Sequence, residues 1–130
     1  MNILRPCDVE NEVRLALVDY FNVDVPPIPK SYPLPHLLIK YAGGNSGNEV
    51  DTFLVSINAR AETEADASDY LRTALGALEV RSREQFGALR NVVLNSLASW
   101  GTDPVRPDLK LCTATVLVTC HREAYEITES

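Results

Sequence analysis

The chain has 130 residues, of which 45% are hydrophobic and 23% are charged, and it carries a net charge of −6. This length is enough for one domain with a real core. The net negative charge disfavours sequence-independent binding to nucleic acid, because such binding needs clustered Lys and Arg. No apolar run approaches the roughly 20 residues that span a bilayer, and the N-terminus lacks a signal peptide's apolar stretch. We therefore expect the protein to be cytosolic when it is made. We also expect one domain over 1–130, with flexible segments at 1–7 and 124–130.

The first part of the chain predicts a helix and a proline-rich connector. Asp8 is placed to cap a helix over residues 9–21, in which apolar side chains recur at helical spacing. Asn22 is placed to end that helix. Residues 23–35 contain five prolines, which fix φ and remove hydrogen-bond donors. We expect at most an edge strand with an extended connector there.

A pair of strands follows the connector. Residues 36–42 and 51–61 alternate apolar and polar side chains, as strands with one buried face do. Between them, the polar sequence Gly43-Gly44-Asn45-Ser46-Gly47-Asn48 predicts a loop. Such a loop is long for a hairpin, and a long polar loop on a rigid strand pair usually makes contacts. The alternative is a hairpin loop with no partner.

A second helix starts at the capping-box-like sequence Thr63-Glu64-Ala65-Asp66 and carries the clearest apolar stripe of the chain. The segment that follows it is ambiguous. Ser82 with Gln85 favours a short third helix over 82–91, and a strand that reaches Trp100 comes next.

Residues 101–108 predict a turn, and residues 110–122 predict a final strand with one apolar and one threonine-rich face. The order of elements predicts an α+β fold. We expect a mostly antiparallel sheet of about four strands, with two or three helices packed on one face.

The reactive residue types are sparse and scattered. Cys112 and Cys120 lie eight residues apart in one predicted strand, so their Cα atoms would be roughly 26 Å apart and cannot form a disulfide. We expect these thiols and Cys7 to be buried as small hydrophobic residues. The neighbours Cys120 and His121 suggest a metal or thiolate–imidazole pair, but adjacent strand residues point to opposite faces.

Other kinds of active site have little support. The glycines at 43–47 lead into a strand, whereas phosphate-binding loops lead into a helix N-terminus. Most carboxylates fall at helix starts or turns, where capping explains them. We therefore predict no catalytic residue, no cofactor site and no metal site, and expect that the chain is not an enzyme.

Arginine outnumbers lysine by nine to three, and arginine is favoured at protein interfaces. Arg81, Arg83 and Arg90 cluster around the ambiguous segment, where a solvated face is the default interpretation and a subunit interface is the alternative.

The succession of elements resembles a known family. A helix, a proline-rich link, a strand ending in Tyr-Ala-Gly-Gly-Asn at 41–45, a second strand and an alanine-rich helix resemble the tail terminator proteins of long-tailed bacteriophages. The closing part is similar to the C-terminal half of the lambda-type minor tail protein U. It comprises Ala88-Leu89-Arg90, the segment to Ser99-Trp100-Gly101, the Pro107-Asp108 turn and the strand through Arg122. The resemblance covers about residues 8–125.

This resemblance implies a structural protein of the virion. Such proteins form a homo-oligomeric ring, typically a hexamer, which caps the tail tube, stops its polymerisation and meets the head–tail connector protein. DNA passes through the ring without specific binding. The implied location is the virion tail, after synthesis in the host bacterial cytoplasm.

A closed ring needs two different complementary patches on each subunit. Gly43, Gly44, Asn45 and Asn48 are the candidates for contact with the tube or a neighbouring subunit. Arg81, Arg83 and Arg106 are weaker candidates for ring or connector contact. The alternatives are a head–tail neck or tail-completion protein and, from another class, a small enzyme or ligand-binding domain that uses Cys120, His121 and nearby carboxylates.

Overall fold

The computed structural model describes residues 1–46 and 50–129, without the side chains of 46 and 97–99. The described elements are β1 (Asn2–Arg5), α1 (Val9–Leu17), β2 (Val23–Asp24), β3 (His36–Ser46), β4 (Val50–Ala61), α2 (Glu64–Arg83), β5 (Leu89–Thr102), β6 (Lys110–His121) and β7 (Glu123–Glu126). Five strands form the main sheet in the order β2-β3-β4-β6-β5, and β1 pairs with β7 in a separate sheet. The β2–β3 pair is parallel, whereas the other pairs are antiparallel.

The predicted fold class is wrong, because the molecule contains more sheet than a four-stranded layer. Strand takes up 45% of the chain, and the described residues form two helices. The third helix expected over 82–91 does not form. Ser82 instead belongs to α2, where its hydroxyl donates to the Glu79 carbonyl at 2.7 Å. Gln85 and Gly87 then adopt positive φ angles of 54° and 55°, which turn the chain directly into β5.

The two ends of the chain, expected to be flexible, pair with each other. Asn2 lies opposite Glu126 and Arg5 lies opposite Glu123. The Arg5 guanidinium forms an ion pair with Glu123 and lies 3.7 Å from the ring centroid of Tyr125. Local sequence could not indicate this pairing, because its partners are more than 100 positions apart.

Both helices begin where the sequence predicts. The Asp8 side chain accepts from the Asn11 backbone N–H at 3.3 Å, and Thr63 Oγ1 accepts from the Asp66 N–H at 3.2 Å. Helix α1 ends at Leu17, earlier than expected. The chain then turns, and the Asn22 N–H donates to the Tyr70 hydroxyl at 2.6 Å, which attaches this turn to α2.

The core lies between the two helices and one face of the main sheet. Each helix buries one stripe, and the strands bury alternate positions. The innermost side chains are Val13, Leu17, Leu37, Ile39, Val55, Ile57, Leu71, Leu78, Leu89 and Val116. A fully buried side chain of this size stabilises the fold by roughly 1.5–3 kcal/mol. The helices therefore cover one face of the sheet and leave the opposite face open.

Candidate interaction surface

The open face of the sheet is polar but uncharged over most of its area. In the centre of β4 and β6, residues 52–58 and 113–119 contain no charged side chain. Hydroxyl and amide side chains point to this face and remain partly exposed, namely Thr52, Ser56, Asn58, Thr113, Thr115 and Thr119. In a chain of net charge −6, this neutral area stands apart from the rest of the surface.

Hydrogen bonds between neighbouring strands fix these side chains. Thr113 Oγ1 donates to Asn58 Oδ1 at 2.8 Å, and the Thr52 and Thr119 hydroxyls lie 3.3 Å apart. On β5, the Asn95 amide donates to the Thr115 hydroxyl at 3.0 Å. The face therefore presents ordered donors and acceptors rather than freely rotating side chains.

An apolar row crosses the same face. Leu54 lies opposite Leu117, and Leu117 lies opposite Val93 on β5. A groove of about 320 Å³ adjoins this row and is lined by Gly43, Gly44, Asn45, Thr52, Leu54, Asn95 and Leu117. The groove combines apolar contact area with uncharged amide and hydroxyl groups, and the lack of charge is a feature that it shares with the cores of protein–protein interfaces.

Three of the four predicted loop residues line this groove, although they are not in a loop. Gly43, Gly44 and Asn45 extend β3 as far as Ser46, and Asn48 lies outside the described residues. The loop expected over 43–48 was therefore too long. Pairing with β4 outweighs the low strand propensity of glycine here.

Strand geometry explains both glycines. Gly43 has a φ of 140° and follows the register shift between β3 and β4, a bulge position that favours glycine. A Cβ on Gly44 would lie 2.4 Å from the Thr52 carbonyl oxygen. Glycine at 44 therefore allows β3 and β4 to approach each other at the rim of the groove.

The three predicted arginines do not form one surface. The Arg81 side chain makes contacts within the molecule. Its Nε donates to the Ala16 carbonyl at 3.2 Å, and its guanidinium lies 4.8 Å from the Phe86 ring centroid. Arg83 is exposed beside Glu79 at 3.5 Å. Arg106 lies in the β5–β6 turn and contacts Asp108 at 3.2 Å. Since this turn lies at the end of the sheet where α2 begins, Arg106 is remote from the other two.

A buried polar cluster lies at that same end. His36 Nε2 is 2.7 Å from Asp24 Oδ2, and the Tyr32 ring stacks on the imidazole with centroids 4.2 Å apart. Opposite His36 on β4, Arg60 donates from Nε to Asp103 at 2.7 Å. His36 Nδ1 and Arg60 Nη1 are buried without a hydrogen-bond partner in the described part of the chain.

The environment shifts the acid–base behaviour of this cluster. Burial lowers the pKa of His36, and the hydrogen bond with Asp24 only partly opposes that effect. Burial alone would raise the pKa of Asp103, but the hydrogen bonds from Arg60 and from two backbone N–H groups outweigh it and lower that pKa. The cluster thus holds a neutral imidazole beside a paired carboxylate, and it anchors the proline-rich connector and the β5–β6 turn to the sheet.

The cysteines are buried, as the sequence predicts. Cys120 is in the core and its neighbour His121 is exposed, so the two side chains diverge. The hydrogen bond with Cys7 and burial both raise the pKa of Cys120, which disfavours the reactive thiolate. Among residues 1–46 and 50–129, no three His, Cys, Asp or Glu side chains come together as a metal site would require.

Sequence reasoning missed Leu54, Asn95 and Leu117. The signal was present as the uncharged stretches 52–58, 91–102 and 113–119. Which strands meet, and in which register, depends on long-range pairing.

The described helices include none that is both long and apolar enough to cross a membrane. No protein-family model matches the chain, and no curated protein matches it significantly.

Proposed function

We propose that this chain is a structural virion assembly protein, similar to a phage tail terminator, that forms a ring on the tail tube. The observation that carries the proposal is the groove on the open sheet face. It brings Gly43, Gly44 and Asn45 together with Asn95 and Leu117 on an uncharged surface.

The chemistry of this face suits contact with another protein. Removing charged groups from water is costly unless they are paired, whereas hydroxyl and amide groups need only new hydrogen-bond partners. The apolar row of Leu54, Leu117 and Val93 adds area whose burial is favourable. These properties support a docking surface for another protein, which in this proposal is a tube subunit.

The mechanism is steric. A ring that docks on the last layer of the tube covers the surface that the next tube subunit would use, so polymerisation stops. The opposite side of the ring then offers an attachment surface to the head–tail connector. The net negative charge of the chain supports a ring lumen through which DNA passes without binding, because the negative charges repel the DNA phosphates.

The test is a polymerisation assay with the tail tube protein of the same phage. We expect the wild-type chain to shorten the tubes and to appear as a ring at one tube end in electron micrographs. Leu117→Lys should lose this capping, because it places a charge on the apolar row. Val105→Lys is the matched control, since Val105 is exposed in the β5–β6 turn.

Unchanged tube lengths with the wild-type chain would contradict the terminator role. Binding to the head–tail connector without binding to the tube would instead indicate a neck or tail-completion protein.

A further inference from the structure

Cys7 and Cys120 lie side by side at the corner where the two ends of the chain meet. The antiparallel pairing of β1 with β7 ends where Arg5 lies opposite Glu123. Cys7 follows β1 by two positions, and Cys120 is next to the last residue of β6, just before β7. The two thiols are hydrogen-bonded to each other, and neither is oxidised. The fold therefore joins two thiols that are more than 100 positions apart in the sequence.

The two cysteines differ in their access to solvent. Cys7 is 7% exposed and borders a groove of about 190 Å³. The other residues that line this groove are Asp8, Val9, Glu10, Tyr41 and Phe53. Cys120 has no exposed surface and is part of the core. A small molecule in the groove therefore meets Cys7 first, and Cys120 reacts with it only through Cys7.

Cys7 is also the better nucleophile of the pair. The hydrogen bond with Cys120 lowers the pKa of Cys7, and this effect outweighs burial and the nearby carboxylates, which raise it. The same hydrogen bond and burial raise the pKa of Cys120. Cys7 directly precedes Asp8, the N-cap of α1, and the N-terminal end of a helix stabilises a thiolate. The thiolate of the pair therefore forms on Cys7.

We propose that Cys7 and Cys120 are a redox modification site, at which a small disulfide compound in this groove converts the two thiols into an intramolecular disulfide. The Cys7 thiolate attacks one sulfur of the small disulfide, forms a mixed disulfide and releases the other half as a thiolate. Cys120 then attacks the Cys7 sulfur and releases the second half. Two electrons pass from the cysteine pair to the small disulfide, and the two thiol protons leave with the two released thiols.

The charge around Cys7 selects the kind of disulfide compound. Asp8 and Glu10 line the groove, and the Glu12 carboxylate also acts on Cys7. The two other carboxylates that act on Cys7 are each paired with an arginine. The charge next to the reacting sulfur is therefore negative. It attracts a cationic disulfide such as cystamine and repels an anionic one such as oxidised glutathione.

The disulfide ties the start of α1 to the end of β6. It closes a loop of more than 100 residues, which restricts the unfolded chain and stabilises the folded one. Reducing surroundings keep such a pair as thiols, whereas oxidising surroundings favour the bond. Oxidation therefore locks the corner at which the two ends of the chain meet.

The experiment treats the folded chain with cystamine and follows the product by mass spectrometry and non-reducing peptide mapping. We expect the wild type to lose two hydrogen atoms and to give one cross-linked peptide pair, which contains Cys7 and Cys120. The oxidised form should melt about 5 °C or more above the reduced form, and a reducing agent should reverse this shift.

A comparison of reagents tests the role of the groove. Cystamine should react about tenfold faster than oxidised glutathione, because the two differ in charge. The variant Asp8→Asn should narrow this difference, since asparagine also caps a helix but removes one negative charge from the groove. An unchanged difference in this variant would show that the reagent does not react through the groove.

Three serine variants separate the roles of the cysteines. Cys120→Ser should stop at the mixed disulfide on Cys7, and Cys7→Ser should react about tenfold more slowly or less. Cys112→Ser is the matched control, because Cys112 is also buried in β6 but lies roughly 26 Å from Cys120 along the strand. It should form the bond like the wild type. Circular dichroism verifies that every variant is folded.

Three results would overturn the proposal: a cross-link that contains Cys112, a bond that forms only after the chain is unfolded in urea, or a wild-type mixed disulfide that never converts into the intramolecular bond. The peptide map of the wild type distinguishes them even where a serine variant does not fold. The tube assay is run with the cysteines reduced, so a failure of this inference leaves the proposed function intact.

Discussion

At the scale of single residues, the least replaceable polar contact is the buried pair of Arg60 and Asp103. Both side chains are almost fully buried, and one nitrogen of the Arg60 guanidinium has no hydrogen-bond partner among the residues that the structure describes. Removing one partner of such a pair leaves an uncompensated buried charge, which typically costs about 3–5 kcal/mol.

We expect Asp103→Ala to lower the free energy of unfolding by about 3 kcal/mol or more, as measured by urea denaturation. Asp108→Ala is the control, because it removes an exposed partner of Arg106 and should cost about 1 kcal/mol or less. Equal losses in the two variants would show that the Arg60 pair contributes no more than a surface contact.

His36 is expected to make stability depend on pH. Its pKa is lowered by burial, so the folded state keeps the imidazole neutral below about 6.5, where an unfolded chain binds a proton. The contribution of His36 is therefore fully present above this pH and is lost progressively as the pH falls towards the folded pKa.

We expect the free energy of unfolding of the wild type to fall between about pH 7 and 5. His36→Gln should flatten that fall, whereas His121→Gln should leave it unchanged because His121 is exposed. The same slope in the wild type and in His36→Gln would assign the pH dependence to other groups.

At the scale of elements, two glycines have opposite roles. Gly44 is needed where β3 approaches β4, whereas Gly76 occupies an open position of α2. We expect Gly44→Ala to destabilise the fold by about 1–3 kcal/mol, because the new Cβ would overlap the Thr52 carbonyl.

Gly76→Ala should stabilise the isolated molecule by about 0.5–1 kcal/mol through helix propensity. Urea denaturation below the concentration at which copies associate measures both changes, and a loss on Gly76→Ala would show that the helix position is not open.

Elements that depend on local signals were predicted well. Asp8 and Thr63 cap their helices, and the alternating strands around 51–61 and 110–121 form. The failures have different causes. Glycine-rich residues 43–46 become strand because the next strand, β4, pairs with them and outweighs the low strand propensity of glycine. The pairing of the two chain ends joins residues more than 100 positions apart, which no local pattern indicates.

The candidate site shows the same limit. The sequence shows that residues 52–58, 91–102 and 113–119 carry no charge, and it predicts Gly43, Gly44 and Asn45 as contact residues. These glycines line a groove together with Asn95 and Leu117 because β6 lies between β4 and β5 in the sheet. Sequence spacing along one chain does not encode that order, since strand pairing is set by packing of the whole core.

At the scale of the whole molecule, the balance of charge determines how copies meet. Each copy has a net charge of −6. Long-range repulsion between copies therefore opposes the association that the proposed ring requires. Salt shortens the range of this repulsion from about 30 Å at 0.01 M to about 3 Å at 1 M ionic strength.

We therefore expect self-association to become tighter as sodium chloride is raised over this range. Sedimentation velocity at fixed protein concentration measures the change. Sodium sulfate is unsuitable for this comparison, because it also strengthens apolar burial. The variant Lys30→Gln provides a charge control, since it makes each copy more acidic at an exposed position of the proline-rich connector and should steepen the salt dependence. If added salt instead dissociated the copies, ion pairs would hold them together, and the interface between copies would have to lie among the charged residues.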